Sequence, residues 1–282
     1  MRVPAESILT MTEQQDDGRP AVVPTPPQEA LPPLPEMTWR TATLNGAEIA
    51  YAVAGSGAGE PVVLVHGGDA NSEHWAFQVA TLADQYRVIL LDSRGHGRSP
   101  YNGETMTYAQ LADDVLALLD LLGVERAHLV GWSDGGIIGI DLALRHPERL
   151  RKVVAFGANA DLDGYRKEFG DEVAILSAFG AHNDPDYARL SPAPEQYKAM
   201  IVALRQMWET EPNYSADELR TITTPFLIMA GAHEEVIAEL HTRYLAETIP
   251  GAELALLPNC GHFGLMQEPA AFNAAMLAFL RG

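Results

Sequence analysis

The chain has 282 residues, of which 47% are apolar and 20% are charged. This composition excludes a globally disordered chain and is sufficient for one large α/β domain or two small ones. The 38 acidic and 19 basic residues give a net charge of −19, which argues against a general nucleic-acid or anionic-membrane binder, because such surfaces need clustered Lys and Arg.

Other features of the composition bear on the compartment. Cys260 is the only cysteine, so an intramolecular disulfide and a cysteine-based metal framework are excluded. No apolar run approaches the ~20 residues that a membrane-spanning helix needs. The stretch 3–10 is broken by Pro4, Glu6 and Ser7 and makes a poor signal-peptide core. We therefore expect a cytoplasmic protein with no membrane partner, while the sequence leaves the oligomeric state open.

Residues 1–36 differ from the rest of the chain. They contain eight of the 19 prolines and no aromatic residue. The proline-rich stretches 23–27 and 31–35 favour an extended polyproline conformation. Because this segment has little to bury, we predict an arm that is disordered or lies loosely on the domain. It is interpreted either as a plain tail or as a ligand for a proline-binding module.

The first predicted element of the folded region is a β-hairpin, in which residues 38–44 and 48–53 flank Asn45-Gly46. Six further strands follow, most of them continuous apolar runs typical of a parallel sheet buried on both faces, at residues 62–65, 88–91, 128–132, 152–156, 226–229 and 253–257. Helical periodicity fills the intervals, at residues 75–86, 108–122, 136–145, 237–249 and 270–280. This alternation predicts an α/β fold with a mostly parallel, doubly wound sheet.

The alternation is interrupted between about residue 160 and about residue 222, where no clear strand occurs. Apolar side chains recur there at helical spacing, at Tyr197, Met200, Ile201, Leu204, Met207 and Trp208. We predict that residues 161–222 form a helical cap inserted after the sixth strand, and that residues 37–160 and 223–282 form the core. We interpret these apolar side chains primarily as the core of the cap itself, and secondarily as the wall of a pocket beneath it.

The predicted strand 128–132 ends in the motif Gly131-Trp132-Ser133-Asp134-Gly135-Gly136, and a helix is predicted to follow. A G-x-S-x-G sequence between a strand and a helix is typical of a nucleophile elbow. The turn is so tight that larger side chains two places before or after the serine would collide with neighbouring backbone. The Ser133 hydroxyl is then held above the sheet edge, at the positive end of a helix dipole. The alternative is a glycine-rich helix start with an inert serine.

A serine hydroxyl is a weak nucleophile and needs a base. Among nine histidines we choose His262, because it follows the last strand and so reaches the carboxyl edge of the sheet, where open α/β folds bind ligands. The base in turn needs a carboxylate to orient it. We choose Glu234, on the loop after strand 226–229. Glu235 and Asp161, which follows strand 152–156, remain open alternatives.

Negative charge that develops on a substrate must meet preorganised hydrogen-bond donors. The backbone N–H of Asp134, directly after the serine, is one predicted donor of the oxyanion hole. The N–H of Gly68 is the other, because the turn His66-Gly67-Gly68 lets the chain approach closely. The alternative is that these glycines only relieve strain in the turn.

Five features in this order resemble the α/β-hydrolase superfamily: the turn 66–68, the stretch 92–99 (DSRGHGRS), the motif around Ser133, the acid and Gly261-His262. The resemblance runs from about residue 38 to residue 282 and implies the α/β-hydrolase fold, in which the stretch 92–99 is usually structural. Within the superfamily, residues 131–136 and 156–160 (FGANA) are most similar to the valacyclovir hydrolase, or biphenyl-hydrolase-like, proteins.

The narrower resemblance implies that the substrates are esters of α-amino acids and that Asp134 holds the substrate ammonium group. A carboxylate in the first turn of a helix is also stabilised by the helix dipole without any ligand, so Asp134 has a structural alternative. That family's acid is typically Asp, whereas the aligned Glu234 is one methylene longer. We predict that Trp132, Met207 and Trp208 bind substrate together with Asp134.

The sequence therefore predicts a serine hydrolase of carboxylic esters, acting on a small-molecule ester of the amino-acid or small neutral type. No cofactor or metal is expected. The alternatives are a lactonase or carbon–carbon bond hydrolase with the same triad, and a hydrolase-fold receptor for a small molecule. Serine at position 133, where dehalogenases and epoxide hydrolases of this fold carry Asp, argues against those two chemistries.

Overall fold

A computed structural model of the protein describes residues 31–55, 59–166 and 183–282. Most of the predicted arm (residues 1–30) and part of the predicted cap (residues 167–182) lie outside the described residues. Within the three described ranges, no helix combines the length and the apolar character that crossing a membrane requires.

The core of the fold is one eight-stranded sheet with the strand order β1-β2-β4-β3-β5-β6-β7-β8. The strands are β1 (Arg40–Leu44), β2 (Ala47–Gly55), β3 (Glu60–Val65), β4 (Tyr86–Leu91), β5 (Ala127–Trp132), β6 (Leu150–Phe156), β7 (Phe226–Gly231) and β8 (Glu253–Leu257). Strand β2 pairs antiparallel with β1 and β4, and the other neighbours pair parallel. The predicted mostly parallel sheet is therefore confirmed.

The predicted hairpin turn is present between β1 and β2. Asn45 and Gly46 have φ angles of 46° and 80°, as the tightest hairpin turns require of both central residues. Strand β2 extends beyond the predicted residue 53, because its last residues continue to pair with β4 as far as the Gly55–Arg87 pair.

Helices separate the parallel strands. They are α1 (Ala76–Leu82), α2 (Tyr108–Leu121), α3 (Asp134–Arg145), α4 (residues 183–190), α5 (Tyr197–Trp208), α6 (Ala216–Leu219), α7 (Glu239–Thr248), α8 (Gly264–Gln267) and α9 (Pro269–Arg281). Helix α1 ends at Leu82, earlier than the predicted residue 86, because β4 already begins at Tyr86; a separate 3₁₀ turn capped by Asn71 precedes the helix. Between β6 and β7, the described residues contain helices and no strand.

Two apolar clusters cover the two faces of the sheet. One joins α2, α3 and α7 to Met200, Leu204 and Met207 of α5, so α5 packs directly on the core. The other joins α1, α8 and α9, and Leu31 and Leu34 pack against its edge. Because each fully buried Leu or Met contributes about 2 kcal/mol, the three α5 side chains hold this helix firmly against the sheet.

The register of the parallel strands brings several loops to one edge of the sheet. Val65 pairs with Gly131, Trp132 with Phe156, and Phe156 with Met229. The loops after β3, β5, β6 and β7 therefore begin side by side at the carboxyl edge, where open α/β sheets bind ligands.

Candidate active site

Ser133 forms the sharp turn between β5 and α3. Its φ of 53° and ψ of −119° are strained for a residue other than glycine, at a cost of order 1–3 kcal/mol. A Cβ on Gly131 would lie 2.1 Å from the carbonyl oxygen of Gly135, and a Cβ on Gly135 would lie 2.0 Å from that of Val65. Neither approach is sterically tolerable, so this turn requires both glycines of the motif. Ser133 itself remains partly exposed.

His262 and Glu234 form a buried hydrogen-bonded pair, with 2.7 Å between the imidazole Nδ1 and the carboxylate Oε1. They are 6% and 4% exposed. The same carboxylate oxygen accepts the backbone N–H groups of Val236 at 3.0 Å and of Ile237 at 3.3 Å. Because its own loop fixes this carboxylate, it holds the imidazole in one orientation.

A second carboxylate holds the backbone of His262. Oε2 of Glu235 accepts the N–H of His262 at 2.6 Å. A Cβ on Gly261 would lie 2.3 Å from both Glu235 oxygens, so glycine is needed beside this contact. Burial lowers the pKa of His262, but the carboxylates of Glu234, Glu235 and Asp134 outweigh burial and leave it above 6.5.

Asp161, the third acid considered from the sequence, lies beside a different histidine. Its Oδ1 is 3.9 Å from Nδ1 of His241, whose Nε2 accepts the backbone N–H of Ala160 at 2.9 Å. Of the three predicted acids, the one hydrogen-bonded to the His262 ring is Glu234.

The backbone around β6 brings the serine and the imidazole to the same place. The N–H of Ser133 donates to the carbonyl of Phe156 at 2.8 Å. The next residue, Gly157, has a φ of 62°, and a Cβ there would lie 2.9 Å from both Cε1 and Nδ1 of His262. In addition, the Trp132 indole N–H donates to the carbonyl of His262 at 2.7 Å. Ser133 and the His262 imidazole therefore both lie at the carboxyl ends of β5 and β6.

The glycine turn after β3 lies against the same site. A Cβ on Gly67 would be 3.1 Å from Cβ of Ser133. A Cβ on Gly68 would be 2.4 Å from Cζ2 of Trp208 and 2.5 Å from Oδ2 of Asp134. The two predicted oxyanion-hole residues are thus neighbours beside Ser133, and the end of α5 covers Gly68.

Two buried imidazoles support the glycine turn. His66 donates from Nδ1 to the carbonyl of Gly67 at 2.7 Å and accepts the N–H of Ser93 at Nε2, 3.0 Å away. Nε2 of His96 accepts the N–H of Asp69 at 3.1 Å. Burial lowers the pKa of both rings, that of His66 to about 3, so both stay neutral and keep an acceptor nitrogen.

Asp134 is buried, at 6% exposure, and both of its carboxylate oxygens have protein partners. Nε1 of Trp208 lies 3.1 Å from Oδ1 and 3.0 Å from Oδ2, and the Tyr108 hydroxyl donates to Oδ1 at 2.8 Å. Burial raises the pKa of Asp134 to about 6, although both donors act in the opposite direction. The structure therefore brings together two of the four predicted substrate-binding residues.

The other two, Trp132 and Met207, are interior residues at 1% and 2% exposure, and their contact with substrate stays a prediction. Trp132 is the last residue of β5 and belongs to the apolar cluster of α1, α8 and α9, where its indole supports the His262 loop. Met207 packs in the opposite cluster, between α5 and the core. Side chains of neighbouring residues along a strand or helix point in different directions. The side chains of Trp132 and Met207 therefore point in directions different from those of their sequence neighbours Ser133 and Trp208.

Tyr108 and Gly157 contact this site but are not among the residues predicted from the sequence. Tyr108 begins α2, and its partner Asp134 is 26 positions away, so no local pattern marks the contact. Gly157 directly follows β6, and a glycine at a strand end near the carboxyl edge is a weak signal that was available.

The doubly wound sheet, the strained serine turn and the histidine–carboxylate pair at its carboxyl edge together define the α/β-hydrolase class. The model of the alpha/beta hydrolase family matches residues 62–275, and the chain belongs to this family.

Individual relatives have names that differ in substrate. RutD of Caulobacter sp. (strain K31), provisionally named a carbamate hydrolase, is 35% identical over 79% of this chain and 91% of its own. The 2-hydroxymuconate semialdehyde hydrolase of Pseudomonas sp. (strain CF600) is 30% identical over 80% of this chain and 88% of its own. The structure of Est816, described as an N-acyl homoserine lactone degrading enzyme, is 30% identical with a TM-score of 0.70, covering 85% of this chain and all of that one (100%).

Proposed function

We propose that this hydrolase cleaves carboxylic esters through an acyl-enzyme, with Ser133, His262 and Glu234 as its catalytic triad. One observation carries the proposal: the strained turn at Ser133 lies at the sheet edge that also holds the buried His262–Glu234 pair, 2.7 Å apart. An activated serine needs this arrangement of a base that is itself oriented by a third group.

In the proposed mechanism, Ser133 Oγ attacks the acyl carbon while Nε2 of His262 takes the hydroxyl proton. Nδ1 already faces Glu234, so Nε2 is the ring nitrogen left for this transfer. The imidazolium then gives the proton to the leaving alcohol. Water next attacks the acyl-enzyme, loses a proton to His262, and releases the carboxylic acid as the proton returns to Ser133. These steps require no metal or organic cofactor.

The N–H groups of Asp134 and Gly68 are the proposed donors to the oxyanion. Asp134 is the first residue of α3, where a backbone N–H has no acceptor within the helix. Gly68 lies on the turn that His66 and His96 hold in place. Donors fixed before the reaction stabilise developing charge without reorganisation, and one such donor is typically worth about 3 kcal/mol of transition-state stabilisation.

A lactone is the second candidate substrate, because the 30%-identical Est816 is described as degrading N-acyl homoserine lactones. A lactone is a cyclic ester, so the same residues would open it without a separate leaving group. The amino-acid ester preference implied by the sequence motif is a further hypothesis about the same site. A panel of p-nitrophenyl acetate, an acyl homoserine lactone, an aryl carbamate and a valine ester would rank these substrates.

The nucleophile is tested by Ser133→Ala. We expect this change to abolish labelling by a fluorophosphonate probe and to reduce p-nitrophenyl acetate turnover by about a thousandfold or more. The control is Ser215→Ala, which changes an exposed serine that caps α6 and should retain labelling. Residual labelling of the Ser133→Ala protein at another serine would reject the assigned nucleophile. Ligand binding without turnover by the native chain would favour a receptor.

A further inference from the structure

The contacts of Asp134 suggest a role for its side chain other than binding substrate. In a buried carboxylate that held an ammonium group, at least one oxygen would face the pocket. Here the Trp208 indole N–H spans both oxygens, and the Tyr108 hydroxyl occupies Oδ1 as well. A substrate ammonium would have to share this carboxylate with both of these donors.

Trp208 in turn covers the oxyanion turn. A Cβ on Gly68 would lie 2.4 Å from Cζ2 of Trp208 and 3.0 Å from Cδ2 of Leu204. The last turn of α5 therefore lies directly on the Cα of Gly68. The indole ring cannot swing away from this position without losing its hydrogen bonds to Asp134.

The other end of α5 is held in a similar way. The hydroxyl of Tyr197, the first residue of α5, donates to Oδ2 of Asp69 at 3.2 Å, and Asp69 directly follows Gly68. Both ends of one helix thus donate hydrogen bonds to core carboxylates on either side of the oxyanion turn. A wall held at two points keeps a fixed distance from the turn.

We propose that Asp134 is a positioning residue that fixes the Trp208 indole, and that the fixed indole limits the substrate group beside Gly68 to a small, neutral one. This inference rests on the proposed ester hydrolysis and names its substrate class. It assigns the selectivity for size to Trp208 and predicts that Asp134 forms no ion pair with the substrate.

The test is the ratio of kcat/KM for p-nitrophenyl acetate to that for the hexanoate ester. We expect the native ratio to favour acetate, and Trp208→Phe and Asp134→Ala each to lower it about tenfold. Trp208→Phe keeps an aromatic ring without the N–H. The double variant should lower the ratio no further than either single change, because both break the same contact. Gln206→Ala, an exposed change on α5, is the control and should keep the native ratio.

Asp134→Asn separates hydrogen bonding from charge. The amide keeps an acceptor oxygen for Trp208, so the acetate-to-hexanoate ratio should stay within about threefold of native. The ratio for valine to isovalerate esters, which differ by the ammonium group, should also remain. A tenfold loss of preference for the valine ester in Asp134→Asn would overturn the proposal in favour of ammonium binding.

Equal acetate-to-hexanoate ratios in native, Trp208→Phe and Asp134→Ala proteins would also overturn the proposal. Circular dichroism of each variant checks its fold, and Asp134→Asn provides the conservative substitution should Asp134→Ala unfold. Failure of the proposed function would look different, because turnover of every ester would then persist in Ser133→Ala.

Discussion

Asp69 is expected to destabilise the native protein at alkaline pH, and Asp69→Asn should relieve this effect. Asp69 is only 8% exposed and lies in the left-handed region of backbone conformation, with a φ of 53°. Burial raises the pKa of its carboxyl group to about 7, although the Tyr197 hydroxyl acts in the opposite direction. Asn is nearly isosteric with Asp, retains an acceptor oxygen for Tyr197 and tolerates this φ well.

The magnitude follows from the two pKa values of this group. The pKa of an Asp in an unfolded chain is about 3.9, so between about pH 4 and about pH 7 the native chain holds a proton that the unfolded chain has released. The free energy of unfolding therefore falls as the pH rises through this interval. Between about pH 5.5 and about pH 7, which is roughly 1.5 pH units, the free energy of unfolding should fall by about 2 kcal/mol.

The assay is urea denaturation of the native protein and Asp69→Asn at about pH 5.5 and about pH 8.5. We expect the stability advantage of Asp69→Asn to be larger at the higher pH by about 2 kcal/mol. Asp217→Asn, whose side chain is 95% exposed, is the matched control and should follow the native pH dependence. Parallel pH dependences of the native chain and Asp69→Asn would refute the reasoning.

Three further predictions test the His262 site. Glu235→Gln keeps an oxygen for the His262 N–H but removes a charge that raises the His262 pKa. The acidic limb of the pH profile of kcat/KM should therefore move to lower pH, by about half a pH unit or more. An unchanged acidic limb would contradict this electrostatic effect. Gly157→Ala would put a Cβ 2.9 Å from the His262 ring and should lower kcat for p-nitrophenyl acetate about tenfold. If the Gly157→Ala protein kept the native kcat, the imidazole ring would not need this space. Glu234→Gln should lower kcat about a thousandfold and Asp161→Asn less than about threefold, and the reverse order would move the acid to the loop after β6.

Most of the fold could be predicted from the sequence, because the signals were local. Continuous apolar runs marked the buried parallel strands, and Asn45-Gly46 marked the hairpin turn. Boundaries were less predictable: β2 runs on to Gly55 because it has β4 to pair with, and α1 ends early, at Leu82, because β4 begins at Tyr86. Pairing between strands that are distant in sequence fixed both of these boundaries.

The candidate site was likewise predictable from the sequence only in part. By itself, the sequence identified Ser133 at a strand-to-helix turn and His262 and two glutamates on loops at the carboxyl edge, because chain direction in a parallel sheet determines which loops meet.

Only the tertiary structure decided that Glu234 contacts the imidazole while Glu235 holds its backbone, that Trp132 and Met207 are interior, and that Trp208 binds the Asp134 carboxylate. The physical reason is that side-chain direction and pairing across 28 or 74 positions depend on packing between elements, which local sequence does not record.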